Sequence, residues 1–193
     1  MNGYRSFLMM AMMSVVGLSA PALADTKSAV FHFTAAFVGG SCDITAPSSI
    51  QFNNGNPFSS KDIEEHIAVT SESFELTLSK CEGAGLTPSI KVSGPQTSDF
   101  GEPLFLNVGG PTDAKGYGIL LATKGNGIFS PNLNLAADGT ILAKENWSID
   151  EQLSTVNNSK IPMTAALTCG DCNYASRRGG DLNATVTFDF VYD

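Results

Sequence analysis

Basic side chains are scarce in this sequence of 193 residues: 11 Lys and Arg stand against 19 Asp and Glu, which gives a formal net charge of −8. Proteins that bind nucleic acids or anionic membranes do so through clusters of basic side chains. The nearest thing to such a cluster is Arg177-Arg178, a pair more typical of a solvated loop. The composition therefore argues against a nucleic-acid partner and an anionic-membrane partner.

Long apolar runs are also lacking. The longest, Phe7 to Leu18, falls short of the roughly 20 residues that span a bilayer. Arg5 before it and Pro21-Ala22-Leu23-Ala24 after it complete the three parts of a secretory signal peptide, which we predict over residues 1–24. An uncleaved membrane anchor is the less favoured alternative. The remainder suits a single exported domain, and we expect no membrane insertion.

Residue patterns that carry catalysis are few. Of the two histidines, His32 lies in a strand-like pattern, and His66 ends the run Asp62 to His66. That run could hold a metal, but a charged loop is the commoner explanation. The glycines at 109–118 lack the Lys-Ser ending of a phosphate loop, and no serine lies in a nucleophile elbow. We expect no enzymatic activity, no metal and no cofactor.

Four cysteines in an exported chain predict two disulfides, for which three pairings are possible. We favour Cys42 with Cys81 and Cys169 with Cys172, because the second pair is close along the chain. The spacing of Cys169 and Cys172 also fits a thioredoxin-type redox pair. In such pairs the first cysteine opens a helix, whereas this sequence leads into a strand, so a local staple is the favoured interpretation.

Two stretches near the ends of the sequence alternate strongly between apolar and polar residues. From Gly180 to Asp193 the even positions are apolar or aromatic, namely Leu182, Ala184, Val186, Phe188, Phe190 and Tyr192. Before Gly39-Gly40, one face carries Phe31, Phe33, Ala35 and Phe37. Each pattern predicts a strand with one buried face. The closing strand needs a neighbour on each side, either an earlier segment or another chain.

The residues between these ends predict short strands separated by turns, which indicates an all-β sandwich. The predicted strands are 42–44 continuing at 49–52, 74–81, 88–92, 103–108, 118–123, 139–143 and 161–167. The one helix predicted lies around Trp147 to Leu153.

Four features together resemble the pilin subunits of the bacterial chaperone-usher pathway, as in type 1 and P pili. They are the Cys42 and Cys81 pair with Leu-Ser-Lys before the second, the alternating segment before the first cysteine, the entry Gly116-Tyr117-Gly118-Ile119, and a carboxy-terminal signature. In that signature, Gly180 lies fourteen residues from the end and Tyr192 is the penultimate aromatic. The resemblance implies an incomplete immunoglobulin-like sandwich that lacks its seventh strand and is completed by a donor strand.

The resemblance also implies a domain organisation and partners. Residues 25–41 would form an amino-terminal donor-strand extension and residues 42–193 the pilin domain. A periplasmic chaperone would lend a strand to a groove beside the last strand, and at the outer-membrane usher the extension of the next subunit would replace it. The groove strand would present Gly180, Val186, Phe188, Phe190 and Tyr192, and the donor face Phe31, Phe33, Ala35 and Phe37.

The implied function is that of a structural or minor subunit of a surface fimbrium used in cell adhesion. One alternative is a tip adhesin that binds a host carbohydrate; another is a periplasmic thiol oxidoreductase that uses Cys169 and Cys172. Two departures from the family pattern stand out. The pair Cys169 and Cys172 is not usual, and Ala35 stands where a glycine is common.

Overall fold

The computed structural model describes residues 39–57, 59–65, 70–107 and 109–192. The predicted signal peptide and the predicted donor residues Phe31, Phe33, Ala35 and Phe37 lie outside this part of the chain. Within it the strands are β1 (Gly40–Thr45), β2 (Ser71–Gly83), β3 (Pro88–Ser93), β4 (Gln96–Thr97), β5 (Leu104–Phe105), β6 (Gly118–Thr123), β7 (Thr140–Leu142), β8 (Lys160–Thr168) and β9 (Thr187–Tyr192).

The strands form two antiparallel sheets. Six strands make the larger sheet in the order β1-β2-β8-β6-β5-β4, and three make the smaller one in the order β7-β3-β9. Strand β9 is an edge strand, since in the described residues it pairs only with β3, where Phe188 lies opposite Val92 and Phe190 opposite Ile90. Strand β1 lies at one edge of the larger sheet and pairs with β2.

Alternating apolar residues from both sheets meet in one core. Strand β8 buries Ile161, Met163, Ala165 and Leu167 in alternation with more exposed residues, as a strand with one buried face requires. The fully buried side chains also include Leu76 and Leu78 of β2, Ile90 of β3 and Ile141 of β7. The predicted all-β sandwich is confirmed.

In the described part of the chain, two short α-helices lie outside the sheets. Helix α1 (Ser60–Glu64) begins with a capping box, in which the Ser59 N–H donates to the Asp62 carboxylate at 2.7 Å. Helix α2 (Leu135–Asp138) is capped by Asn134 and ends at Gly139, whose φ of 65° suits glycine. In the described residues no helix is both long and apolar enough to pass through a membrane.

The predicted helix around Trp147 to Leu153 is wrong. The structure has turns there, followed by a 3₁₀ turn at Leu153–Val156. The two ends of this turn, Leu153 and Val156, are fully buried.

Three strand predictions also need correction. Residues 49–51 are not in a strand, and Phe52 instead opens a 3₁₀ turn at Phe52–Gly55. Of the strand predicted at 103–108, the described residues 103–107 form a strand only at β5, and the Asn107 N–H donates instead to the Asn183 carbonyl at 2.9 Å. The closing strand begins at Thr187 rather than near Gly180, because its partner β3 ends at Ser93, opposite Thr187. The predictions at 74–81, 88–92, 118–123 and 161–167 are confirmed.

Candidate functional site

An open groove lies between two segments of the chain. The first wall, residues 46–57, follows β1, and the second wall, residues 179–188, leads into β9 and includes its first two residues. Between them are two cavities of about 380 and 720 Å³. The two cavities are contiguous, because both are lined by Ile50, Phe52, Ile119, Leu182 and Asn183.

The floor of the groove is the inner face of the larger sheet. It is formed by side chains of β2, β6 and β8 and of the residue before β6, namely Phe74, Tyr117, Ile119, Leu121, Ala165 and Leu167. Several apolar side chains around the groove pack against the core yet stay only half-buried, namely Phe52, Phe74, Leu182, Ala184, Val186 and Phe188. The core is therefore open to water along this line, which leaves apolar surface that an added segment could cover.

The backbone of the second wall is hydrogen-bonded on one side only. The Asp181 carbonyl accepts from the Ala114 N–H at 2.8 Å, the Asn183 carbonyl from the Asn107 N–H at 2.9 Å, and the Thr185 N–H donates to the Asn107 side chain at 3.1 Å. For the intervening residues 182, 184 and 186, the described chain provides no backbone partner. Since backbone groups of an extended chain alternate between its two edges, these residues point their N–H and C=O groups at the groove.

The same alternation continues along β9. The Val92 N–H donates to the Gly139 carbonyl at 2.8 Å, on the β7 side of β3. The ladder between β3 and β9 therefore uses the alternate pairs Lys91 with Asp189 and Ser93 with Thr187. Phe188 and Phe190 consequently direct their backbone groups to the free edge. The even-numbered residues thus supply both the apolar side chains and the unpaired backbone groups.

The first wall shows a similar lack of pairing. No backbone hydrogen bond joins residues 46–51 to any other described residue, and Pro47 has no N–H to donate. Ile50 and Phe52 nevertheless reach the cavities. Sequence reasoning missed these two side chains as groove residues. The alternation of Ile50 and Phe52 is the available signal, and it predicts a strand rather than a groove wall.

The structure brings together only some of the predicted groove residues. Val186 and Phe188 line the smaller cavity and Gly180 the larger one. Phe190 and Tyr192 line neither. A Cβ atom added to Gly39 would lie 3.0 Å from the Tyr192 ring, so Tyr192 lies where the groove closes between β1 and β9.

The groove is nearly free of charge. Of the described residues that line the two cavities, Asp181 alone is ionisable at neutral pH. The pKa of Lys80 is raised, first by its hydrogen bond to the Asp43 carboxylate at 2.8 Å and then by the charge of that group. Both residues are exposed on β1 and β2 and line neither cavity.

The acidic run that ends at His66 has structural partners. Asp62 caps α1, Glu64 pairs with Arg177 at 3.1 Å and Glu65 pairs with Lys61 at 3.5 Å; His66 itself is outside the described residues. Across the described chain, no group of three or more His, Cys, Asp or Glu residues is arranged to hold a metal ion.

Two disulfides are present. The predicted Cys42–Cys81 disulfide is confirmed; it joins β1 to β2 across 39 residues. Cys169 and Cys172 are also joined. Cys169 is fully buried and follows the end of β8 directly, where a turn rather than a helix begins. In thioredoxin-type pairs a helix dipole activates the first cysteine. In the described residues after Cys169 no helix begins, so Cys169 has no such dipole beside it.

Comparison with known proteins finds a likeness to solved structures that is no finer than the fold. The chain is similar to the P pilus rod subunit PapA. The similarity covers 85% of this chain and 100% of that one, with 17% sequence identity and a TM-score of 0.42. No family model and no curated protein matches.

Proposed function

We propose that this chain is a structural or minor fimbrial subunit that polymerises by donor-strand exchange. The observation that carries the proposal is the groove, whose second wall combines half-buried apolar side chains with unpaired backbone groups. An extended segment that adds to such an edge gains main-chain hydrogen bonds and fills pockets with alternate side chains.

The donor segment fits the second wall in length and spacing. Phe31 to Phe37 and Leu182 to Phe188 are both seven residues long, and each presents an apolar side chain at every second position. At about 3.3 Å per residue, both extend about 20 Å. One segment can therefore lie along the other with its apolar side chains directed into the groove.

The two surfaces also match in charge. Residues 30–38, VFHFTAAFV, contain no Asp, Glu, Lys or Arg, and the cavities meet only the one carboxylate of Asp181. Burying three phenylalanine side chains contributes on the order of 5 to 9 kcal/mol. The donor segment itself carries no Asp, Glu, Lys or Arg side chain that would have to be desolvated to obtain this gain.

The proposal includes the route of assembly. The chain is exported through the periplasm, where a chaperone fills the groove. At the outer-membrane usher the extension of a neighbouring subunit takes its place. The product is a fimbrium on the bacterial surface that serves in cell adhesion.

A peptide-uptake experiment tests this function. The full chain is unfolded without reductant, refolded with a fluorescent peptide of residues 25–41, and separated from free peptide by size. We expect stable uptake. A Phe33→Asp peptide should bind at least about tenfold more weakly, because it would bury a charge. A Thr34→Asp peptide, whose charge lies on the opposite face, should bind within about twofold of the unmodified peptide. Equal binding of the two variants, or no uptake of the unmodified peptide, would contradict the proposal.

A further inference from the structure

The ion pair between Glu64 and Arg177 joins the two sides of the groove at the end where its apolar lining stops. The distance from Arg177 Nη2 to Glu64 Oε1 is 3.1 Å. Glu64 ends α1, which follows the first wall, and Arg177 precedes the second wall by two residues. The Arg177 side chain is 27% exposed and the Glu64 side chain 37% exposed, whereas both partners of every other ion pair in the described residues are more than half exposed.

The groove changes character at this ion pair. A third cavity of about 560 Å³ shares Ser60, Tyr117 and Gly179 with the larger groove cavity. Its further lining is mostly polar and includes Glu64, Asn173, Tyr174, Arg177 and Arg178. An inserted strand that passed Gly179 would therefore leave apolar surroundings and meet charged groups.

Arg177 is held in place by the Cys169–Cys172 loop. Its guanidinium donates a hydrogen bond to the Cys172 carbonyl and also forms the ion pair with Glu64. The loop is anchored in turn, because the Asp171 N–H donates to the Phe100 carbonyl at 2.8 Å. The Tyr174 ring contacts the Phe100 ring edge-on with centroids 5.2 Å apart. The unusual second disulfide thereby fixes the acceptor that orients Arg177.

We propose that Arg177 and Glu64 are positioning residues that set the register of a strand inserted into the groove. This inference rests on the donor-strand function proposed above. Alternation alone does not set the register, since a slip of two residues returns every side chain to the same face. A slip towards Gly179 would push an apolar side chain against the ion pair and desolvate it without replacing its hydrogen bonds. The ion pair therefore limits how far the inserted strand can shift towards Gly179.

Photo-crosslinking measures the register directly. The full chain is refolded around peptide 25–41 carrying p-benzoylphenylalanine in place of Phe31 or Phe37, irradiated, and mapped by mass spectrometry. In the wild-type chain we expect each probe to react at one groove position. In Arg177→Gln and Glu64→Gln the reaction should spread to positions two residues away. Peptide release should also become roughly two- to fivefold faster, as expected for a partly exposed ion pair.

A charge swap separates register from general stability. The double variant Glu64→Arg with Arg177→Glu restores an ion pair, so it should restore the single crosslink position, and thermal melting checks that every variant is folded. The inference is overturned if both single variants bind peptide and keep the single wild-type crosslink position. It is also overturned if the single variants spread the crosslink and the double variant spreads it equally. If the wild-type chain takes up no peptide, the donor-strand function fails first, and this inference with it.

Discussion

Asn157 takes the place of a strand partner beside the Cys42–Cys81 disulfide. Its side-chain oxygen accepts from the Cys81 N–H at 2.8 Å, and its side-chain nitrogen donates to the Cys81 carbonyl at 3.2 Å. The Cys81 backbone needs these two partners because the pairing of β2 with β8 ends at Thr77. Lys80 also has a φ of 52°, a conformation that breaks a regular strand. One amide thus satisfies both backbone groups of a buried cysteine.

Replacing Asn157 with Ala should therefore lower the free energy of unfolding by roughly 1 to 3 kcal/mol, because a buried backbone N–H loses its acceptor. Urea unfolding followed by circular dichroism measures the change. Asn146→Ala is the matched control, since Asn146 is exposed and should change stability by less than about 0.5 kcal/mol. Equal effects of the two substitutions would show that the Asn157 amide does not stabilise this part of the strand.

At the scale of elements, the second wall and β9 follow one alternation from Leu182 to Tyr192. The even-numbered residues direct their side chains inward and their backbone N–H and C=O groups to the free edge. The backbone groups of the odd-numbered residues form hydrogen bonds to β3 or to the segment around Asn107. Any strand added at this edge must pair with the even-numbered residues.

Amide hydrogen exchange should display this alternation. In the free chain, the amides of Thr187, Asp189 and Val191 should exchange slowly, because they bond to β3, and those of Phe188 and Phe190 should exchange faster. On uptake of peptide 25–41, protection should rise chiefly at the even-numbered amides from Leu182 to Phe190. Nuclear magnetic resonance resolves the individual amides. Uniform protection along β9 in the free chain would contradict a one-sided edge.

The strands with clear alternation were predictable from the sequence, and their partners were not. β2, β8 and β9 have in-phase apolar residues, and the structure places strands there. Residues 49–52 carry the same local pattern, yet no strand forms, because backbone pairing depends on a neighbour that the local sequence does not specify. For the same reason the groove strand was predictable in outline, whereas its floor of Phe74, Ile119 and Ala165 comes from three strands distant in sequence.

At the scale of the whole molecule, the two disulfides should differ in their contribution to stability. Cys42–Cys81 closes a loop across 39 residues and Cys169–Cys172 across 3. In the chain-entropy model these loops correspond to roughly 4 and 2 kcal/mol. The double substitution Cys42→Ala with Cys81→Ala should therefore lower the free energy of unfolding about twice as much as Cys169→Ala with Cys172→Ala. Denaturant unfolding of both variants measures the ratio, and a larger loss from the short loop would contradict the model.

The long disulfide loop also has a mechanical consequence. The first wall and α1 both lie between Cys42 and Cys81. A pulling force applied to the chain before Gly40 reaches Cys42 after a few residues and then passes through the sulfur bridge into β2. The residues between the two cysteines are bypassed and cannot be drawn out while the bridge is intact. One side of the groove is thus shielded from tension by a covalent bond.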